Sequence, residues 1–304
     1  MSGGVDSSVA AACLLKEGHE VEGAYMKNWI NEDNITGNCP WQQDIDDARA
    51  VASFLGINFQ VVNMMREYRE KIVHYLLKGY QDGITPNPDV MCNTEMKFGV
   101  FLDYAMEQGF DAVATGHYAR IQDNRDGTKD ILCGSDPNKN QTYFLAMLDQ
   151  RQASKAVFPI GHLLKKDLRS LASEFGLPNA GKKDSQGICF IGEIKMSDFL
   201  RNYVSDSPGN IVNLNGDILG QHRGLHLYTL GQRKGIGIPS NVYKEAFVVV
   251  GKNSDENELI VGFDSKETPR LYASKCLING LSFVNRVPKE NETVFAQPRY
   301  RTPA

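Results

Sequence analysis

The sequence predicts an α/β protein with a doubly wound parallel sheet, followed by a small central domain and an incomplete β-barrel. Through residue 114, apolar strand-like runs alternate with helical patterns, which is typical of a parallel sheet covered by helices on both faces. A glycine-rich loop at residues 2–8 precedes the first helical pattern. From Pro208 onward, short β-rich runs alternate with Gly, Asn and Asp turns, which indicates small antiparallel or barrel modules.

The elements of the first part follow from apolar periodicity and from their glycine boundaries. Residues 8–16 are rich in Ala and Leu, which predicts a helix that Gly18 ends. The following elements are a strand at 21–26, a helix at 44–55, a strand at 59–63, helices at 66–79 and 96–108, and a strand at 111–114. Ligands bind at the carboxyl ends of parallel strands, so we expect the glycine loop, Met26 and Gly116-His117 to share one nucleotide pocket.

The later elements are shorter. A hairpin is predicted at 118–133 around Asp126-Gly127, because an Asp-Gly pair favours a tight β-turn. Helices are predicted at 165–175 and 197–203, and β-rich runs at 212–219, 246–251 and 259–262. We expect a nucleotide-binding catalytic domain over 1–197, a central β-rich domain over 198–266 and the start of a C-terminal barrel over 267–304.

The composition predicts a globular protein of a reducing compartment. The chain of 304 residues is 41% hydrophobic and 23% charged, which suffices for two or three domains. Its sequence contains no signal-peptide pattern and no apolar run near the ~20 residues of a membrane span. The six cysteines form no C-x-x-C pair, which argues against a secreted disulfide framework and a zinc knuckle. We therefore expect a cytoplasmic protein without a membrane partner.

The net charge of −4 conceals an uneven distribution along the chain. Residues 1–160 hold 14 basic and 22 acidic side chains, whereas the remainder holds 19 basic and 15 acidic ones. The cations that phosphate binding requires therefore lie mostly in the second half. Charge alone does not separate an RNA-binding face from a solvated surface, and both interpretations stay open.

The opening loop, SGGVDSS at residues 2–8, has the composition of a phosphate-binding loop. Its two glycines let backbone N–H groups approach an anion closely, and the N-terminus of the following helix attracts phosphate. The sequence contains no G-x-x-x-x-G-K-[ST], so this is not a Walker loop. A capped helix after a glycine turn would explain a lone Gly-Gly pair, whereas the complete seven-residue segment favours nucleotide binding.

Two further segments place a thiol in a constrained loop. In TPNPDVMCN, residues 85–93, two prolines stiffen the backbone and can fix Asp89 and Cys92 in position. In DSQGICFIG, residues 184–192, glycines flank an apolar run that carries Cys189. Taken alone, the first segment is equally well a proline-rich turn, and a buried, inert thiol is the commoner state for a residue such as Cys189.

Together with an ATP loop, two thiols and a carboxylate suit sulfur transfer. A thiol with a pKa of ~8.5 is only a few per cent thiolate at neutral pH, so a basic setting favours the reactive form. Lys182 and Lys183 stand just upstream of Cys189 and are candidates for that setting.

Seven segments occur in the same order as in the tRNA-specific 2-thiouridylases, and the sequence resembles that family over essentially its whole length. They are SGGVDSS (2–8), MKNW (26–29), TPNPDVMCN (85–93), ATGHYAR (114–120), QTYFL (141–145), GICFIGE (187–193) and LGQRKGIGI (230–238). Other ATP pyrophosphatases, such as GMP and NAD synthetases, share the first segment but not TPNPDxxCN together with GICFIGE. The resemblance implies a PP-loop fold of the adenine nucleotide alpha hydrolase type.

The resemblance also implies a reaction and a role for each matching residue. The reaction is ATP-dependent 2-thiolation of the wobble uridine in the tRNA anticodon loop, by adenylation of the C2 oxygen and sulfur transfer. Asp89 would be the general acid/base. Cys189 would carry a persulfide delivered by a sulfur donor protein, and Cys92 would release that sulfur by forming a disulfide with Cys189.

The same resemblance implies two sets of binding residues. The ATP-binding set, with Mg²⁺ beside the phosphates, is Ser2, Gly3, Gly4, Asp6, Ser7, Ser8, Met26 and Gly116. The tRNA-binding set is Asn87, Pro88, Asp89, His117, Lys139, Asn140, Gln141, Arg299 and Tyr300. Of the second set, residues 87–89 would contact the target base.

Two departures from the family pattern define the alternatives. Family members place a strand before SGGVDSS and a complete β-barrel after the RYR segment at 299–301, so we expect this chain to be a trimmed version of a member. An inactive tRNA-binding remnant is therefore one alternative. Another PP-loop ATP pyrophosphatase is the second.

Overall fold

A computed structural model describes residues 1–28, 41–183, 196–239 and 245–302. The α-helices are α1 Val5–Lys16, α2 Trp41–Leu55, α3 Met65–Tyr68, α4 His74–Gln81, α5 Pro88–Met91, α6 Phe101–Glu107, α7 Gln150–Lys155, α8 Lys165–Glu174 and α9 Met196–Arg201. The strands are β1 Gly23–Lys27, β2 Phe59–Asn63, β3 Val113–Ala114, β4 Ala119–Asp123, β5 Lys129–Cys133, β6 Ala156–Val157, β7 Gly209–Val212, β8 Ile218–His222, β9 Phe247–Asn253 and β10 Glu258–Phe263. No helix within these ranges is long and apolar enough to cross a membrane.

The chain divides into two compact units. The first consists of Met1–Val73, Pro88–Glu193 and Gly280–Ala304, and the second of His74–Asn87 and Ile194–Asn279. In the first unit, α1 packs against α8 and α2. The core around α1 contains Val5, Val9, Val51, Tyr118, Ile160 and Leu168. This packing explains why α1 begins three residues before its predicted start, because Val5 belongs to the buried face.

The predicted α/β class with parallel strands is confirmed in the first unit. Strands β1 and β2 pair in parallel from Gly23↔Phe59 to Lys27↔Asn63, and β3 pairs in parallel with β6. The described residues form these as two separate two-stranded sheets. The predicted hairpin is also present, since β4 and β5 pair antiparallel from Ala119↔Cys133 to Asp123↔Lys129.

Two predicted α-helices are wrong in detail, because each contains a π-helical segment. The prediction over 66–79 resolves into α3, a π-helix at Arg69–Val73 and α4, and the one over 96–108 becomes a π-helix at Cys92–Val100 followed by α6. A π-helix bonds residue i to i+5, so its turn is wider than the 3.6-residue period that the prediction assumed. In the second π-helix this turn buries Asn93 and Phe98, five residues apart.

The second unit contains a mixed four-stranded sheet, as its β-rich sequence predicts. The strand order is β8-β7-β10-β9, with β7 and β10 parallel and the outer pairs antiparallel. The predicted run at 212–219 is two strands, because the turn from Asn213 to Asp217 separates β7 from β8. Its core is built from Ile211, Tyr228, Ile236, Val249, Leu259 and Val261.

No strand occurs in the described residues from 264 to 302, which form turns and irregular structure. Residues 280–302 belong to the first unit, where the Gln150 side-chain amide donates to the Val284 carbonyl at 2.6 Å and Asn285 donates to Asp130 at 2.9 Å. The assignment of 267–304 to the start of a barrel stays a prediction.

Candidate nucleotide and thiol site

A cavity of about 240 Å³ lies in the first unit, where the glycine loop approaches the carboxyl ends of β1 and β3. Its lining contains Met1, Ser2, Asp6, Ser7, Ala24, Tyr25, Met26, Lys97, Phe101, Val113, Ala114, Thr115, Gly116, His117 and Gln141. The three segments predicted to share a nucleotide pocket, the glycine loop, Met26 and Gly116-His117, therefore do border one cavity. The carboxyl-end rule for parallel strands accounts for their meeting.

The glycine loop depends on a left-handed backbone at Gly3. Gly3 has φ +72°, and a Cβ there would lie 2.4 Å from the Asp44 carbonyl oxygen. Gly4 is extended and precedes α1 without a side-chain cap, and its carbonyl accepts from the hydroxyls of Ser7 and Ser8, both at 3.0 Å. An uncapped helix start directs N–H groups outward and favours an anion, so this geometry suits a phosphate.

Ser8 and Asn179 support the loop from behind. Ser8 is fully buried, and the Asn179 amide donates to the Gly3 carbonyl at 3.0 Å and to the Ser8 hydroxyl at 2.9 Å. Ser8 is not among the lining residues, whereas Ser2 and Ser7 are. Sequence reasoning missed Asn179, because nothing in its local context distinguishes it from a turn residue.

The Asp6 carboxylate is neutralised by a partner that the sequence analysis also missed. The Lys165 ammonium, at the start of α8, donates to Asp6 Oδ1 at 2.6 Å, and the Tyr118 hydroxyl donates to the same oxygen at 3.1 Å. The Lys165 side chain is only 14% exposed. This ion pair offsets the negative charge that Asp6 would otherwise present to a bound phosphate.

The opposite wall of the cavity is the Thr115–His117 segment. A Cβ on Gly116 would lie 2.8 Å from both the Asp6 carbonyl carbon and the Ser7 nitrogen, so only glycine allows this wall to touch the loop. His117 is buried, with Nδ1 2.6 Å from the Thr115 hydroxyl. Burial, and secondly the positive charge of Lys97, hold the pKa of His117 well below its ordinary value. His117 is therefore neutral at pH 7.

The π-helix that begins at Cys92 supplies the third side of the cavity. Lys97 lines the cavity, and its ammonium donates to the Asn93 side-chain oxygen at 2.9 Å. The Asn93 amide in turn donates to the Phe144 carbonyl at 3.1 Å. Sequence reasoning missed Lys97, although Asn93 ends the TPNPDVMCN segment.

The structure describes one of the two predicted reactive thiols. Cys92 is 1% exposed and is the first residue of the π-helix, and Asp89 is half-buried on the short helix α5. Cys189 lies outside the described residues. Lys182, a candidate for the basic setting of Cys189, is bonded to Asp44 at 2.8 Å and Asp47 at 2.6 Å on α2.

The residues predicted to contact tRNA fall in several places. Pro88 belongs to the first unit and Asn87 to the second. Gln141 lines the cavity, whereas the Asn140 side-chain oxygen accepts from the Thr142 hydroxyl at 3.0 Å, and Lys139 lies in the turn before it.

Tyr300 packs against the QTYFL segment, which follows this turn in the chain. The Tyr300 ring lies 4.5 Å from the Phe144 ring and 6.1 Å from the Tyr143 ring, centroid to centroid. Residues 299–300 therefore lie beside the QTYFL segment, which directly follows Lys139 and Asn140 in the chain.

Comparison with known proteins identifies close relatives. The chain matches the family models of the tRNA methyl transferase HUP domain over residues 1–193 and the tRNA methyl transferase PRC-barrel domain over residues 197–263. A tRNA-specific 2-thiouridylase MnmA of Akkermansia muciniphila is 59% identical over the whole chain, which spans 84% of that protein. Proteins of the same name from Alkaliphilus oremlandii and Geobacillus kaustophilus are 48% and 47% identical, over 100% and 94% of this chain and 83% and 76% of their own lengths.

Proposed function

The chain belongs to the family of tRNA-specific 2-thiouridylases, and we propose that it thiolates C2 of the wobble uridine in tRNA, with ATP as the activating substrate. The observation that carries this proposal is the cavity in which the glycine loop, the Gly116-His117 wall and the π-helix starting at Cys92 come together. The proposed phosphate site and the buried Cys92 thiol therefore both belong to the first unit. Sulfur transfer to an activated carbonyl requires that combination.

ATP would bind with its phosphates at the start of α1. The outward N–H groups of the loop and the hydroxyls of Ser2 and Ser7 are the polar groups there. Met26 and Gly116, at the ends of β1 and β3, would border the adenine and ribose. Because Lys165 already neutralises Asp6, a polyphosphate bound at the loop would not be repelled by the negative charge of this carboxylate.

Mg²⁺ would enter with the ATP phosphates. The described residues contain no cluster of three acidic, His or Cys side chains that could hold a metal ion. Mg²⁺ does not need such a cluster, because it commonly binds through one or two carboxylates together with substrate phosphates. Asp6 is the acidic side chain among the described residues that line the cavity, so its carboxylate would be the protein ligand of the ion. When bound, the ion neutralises phosphate charge.

The chemistry follows from a poor leaving group. The uracil C2 oxygen does not depart as oxide, so it would first form a bond to the α-phosphorus while pyrophosphate leaves. Asp89 would take the proton that the uracil loses. Sulfur then attacks C2, and the C2–O bond breaks with release of AMP.

The sulfur would come from a persulfide on Cys189. The Cys92 thiolate attacks the Cys189 sulfur, which forms a Cys92–Cys189 disulfide and frees the outer sulfur as hydrosulfide; alternatively, the outer sulfur attacks C2 directly and the disulfide closes afterwards. Formation of that disulfide requires the two Cα atoms within ~4.4–6.8 Å. An external dithiol must then reduce the disulfide before the next turnover.

The tRNA substrate would present its wobble uridine from the anticodon loop. A base in a single-stranded loop leaves its stack at low free-energy cost, which allows it to enter an enclosed site. The proposed tRNA contact of the first unit consists of Gln141 at the cavity, Lys139 and Asn140 just before it in the chain, and residues 299–300. The Tyr300 ring of the last pair lies beside the QTYFL segment. A persulfide-carrying donor protein is the second proposed partner, and the cytoplasm the proposed location.

Nucleoside mass spectrometry tests the proposal directly. Unmodified tRNA with a wobble uridine is incubated with the chain, ATP, Mg²⁺, a persulfide source and a dithiol reductant. We expect 2-thiouridine from the wild type and none from Cys92→Ser or Cys189→Ser. Cys276→Ser removes an exposed thiol and is the matched control, which should retain full activity. tRNA binding without AMP or 2-thiouridine would instead favour the inactive remnant.

A further inference from the structure

Three aromatic side chains of the first unit form a cluster that reaches the surface. Tyr143 and Phe144 lie on the 3₁₀-helix Thr142–Leu145, and Tyr300 lies in a turn near the end of the described chain. The ring centroids are 5.4 Å apart for Tyr143–Phe144, 4.5 Å for Phe144–Tyr300 and 6.1 Å for Tyr143–Tyr300. All three residues are half-buried, whereas the neighbouring Leu145 is 1% exposed and anchors the 3₁₀-helix in the core. The cluster is therefore a surface feature rather than a part of the core.

The rings of this cluster are tilted against one another. The angle between the ring planes is 88° for Tyr143–Phe144, 41° for Tyr143–Tyr300 and 48° for Phe144–Tyr300. In the stacked pair Phe101–Tyr104 this angle is only 25°. Edge-on and tilted contacts leave ring faces that no parallel ring of the cluster covers. Partly exposed aromatic faces suit the bases of a single-stranded nucleic acid, because every base has a π-face that can stack on them.

A cation accompanies the cluster. The Arg301 guanidinium carbon lies 5.2 Å from the centroid of the Tyr300 ring, and Arg301 is exposed. Arg301 has φ +66°, a left-handed conformation that is uncommon outside glycine, and the Thr302 hydroxyl closes the turn by donating to the Arg299 carbonyl at 2.6 Å. The turn thus keeps a positive charge beside the rings. An aromatic surface with an adjacent guanidinium matches the base and the phosphate of one nucleotide.

The cluster lies next to the elements that carry the proposed reactive groups. The 3₁₀-helix packs against α5, which carries Asp89, and against the π-helix that begins at Cys92. The Phe144 carbonyl accepts from the amide of Asn93, the residue after Cys92, at 3.1 Å. Gln141 directly precedes the 3₁₀-helix and lines the cavity. A nucleotide held on the cluster therefore lies close to one whose base is presented to Asp89 and Cys92.

We propose that Tyr143, Phe144 and Tyr300 form a stacking platform for a base that flanks the target uridine, and that Arg301 contacts the phosphate of that nucleotide. Among these four residues, the resemblance to the 2-thiouridylases implies a tRNA contact for Tyr300 alone. The proposal rests on the proposed thiolation of tRNA and deepens it, because a base held beside the wobble position keeps the uridine out of its stack. Stacking tolerates any base, so the platform contributes affinity for the loop rather than sequence preference.

The first test separates the ring of Tyr143 from its hydroxyl. Tyr143→Leu removes the π-face and should raise KM for tRNA about tenfold, the loss typical of one base–aromatic stack, with kcat and KM for ATP within twofold of wild type. Tyr143→Phe keeps the ring and should have the wild-type KM for tRNA. The matched control is Phe54→Leu, because Phe54 is a 55% exposed ring on α2 of the same unit and lies outside the cluster. Its KM for tRNA should be unchanged.

A fluorescent base reports the stacking itself. Two anticodon stem-loop RNAs each carry 2-aminopurine on one side of the wobble uridine. At saturating protein, one of the two probes should fluoresce less with the wild type than with Tyr143→Leu, because stacking on an aromatic ring quenches 2-aminopurine.

The salt dependence of binding to the same RNA tests the phosphate contact. Arg301→Met should reduce the slope of log K against log salt concentration by about 0.7, the value for one phosphate on a single strand. Arg125→Met, at an exposed position in the turn of the β4–β5 hairpin, is the control and should keep the wild-type slope. A wild-type slope in Arg301→Met would contradict the assignment of Arg301.

Three results would overturn the platform. They are an unchanged KM for tRNA in Tyr143→Leu, equal losses in Tyr143→Leu and Tyr143→Phe, and fluorescence of both probes that is the same with wild type and Tyr143→Leu. Thermal melts establish that each variant is folded at the assay temperature. If the wild type itself forms no 2-thiouridine from tRNA, the proposed function fails; if it forms 2-thiouridine and Tyr143→Leu matches its KM for tRNA, only the platform fails.

Discussion

The glycine-loop wall and the π-helix wall of the cavity are built by different means. The glycine-loop wall depends on backbone shape, since Gly3 and Gly116 each occupy a place where a Cβ would strike main-chain atoms. The π-helix wall depends on side chains from distant segments, such as the Asn93 contact to the Phe144 carbonyl. The glycine-loop wall thus requires residues without a side chain, whereas the π-helix wall requires hydrogen-bond partners from other segments. The two should fail differently when mutated.

The largest effect is expected where the glycine-loop wall is tightest. Gly116→Ala places a methyl group 2.8 Å from main-chain atoms of Asp6 and Ser7, so the loop must shift and lose its phosphate geometry. We expect AMP formation to fall at least 10²-fold, because misplacement of reacting groups by about 1 Å has that effect. The measurement is AMP release at saturating tRNA. Gly181→Ala, with open space around the added Cβ, is the control and should leave the rate unchanged.

A smaller effect is expected from the ion pair behind the loop. Lys165→Met removes the cation paired with the Asp6 carboxylate beside the proposed phosphate site, while the Tyr118 hydroxyl still donates to it. We expect a loss of about 1.5–3 kcal/mol in unfolding free energy, typical of a hydrogen bond to a charged group, and a higher KM for ATP. Urea unfolding and ATP titration measure the two effects. Lys166→Met, at an exposed neighbouring position on α8, should change neither.

The smallest effect is expected in acid, where both units bury histidines. Burial lowers the pKa of His117 in the first unit and those of His222 and His226 in the second. Below the unfolded pKa of ~6.5 the unfolded chain binds more protons than the native one, so stability falls as the pH decreases from that value towards the lowered native pKa of each histidine. Above the unfolded pKa, the buried neutral histidines make their full contribution to the free energy of unfolding.

Unfolding free energy measured between pH 5 and 7 checks this dependence. His117→Gln should flatten the slope in the first unit, and His222→Gln should do so in the second. His162→Gln, at an exposed position, is the control and should leave the slope as in wild type. Equal slopes in all four proteins would contradict a native state that buries neutral histidines.

Much of the fold could be predicted from local patterns. The strand at Phe59–Asn63, the end of α1 before Gly18 and the hairpin around Asp126-Gly127 all agree with the structure. Each depends on alternation, on a glycine with positive φ or on a turn dipeptide, and these act over a few residues. The π-helix at Cys92–Val100 was not predicted, because its wider turn is accompanied by contacts from Phe144 and Gln152, more than 50 residues away.

The sequence by itself determined the glycine loop, the strand–helix alternation that brings this loop beside the carboxyl ends of β1 and β3, and the family to which the chain belongs. These features are carried by residue types whose conformational limits are local. Only the tertiary structure decided that Lys165 neutralises Asp6, that Asn179 supports the loop, and that Lys97 lines the cavity from a π-helix. These are pairings between side chains far apart in sequence, and a pairing is selected by packing of the whole unit rather than by either residue's own preference.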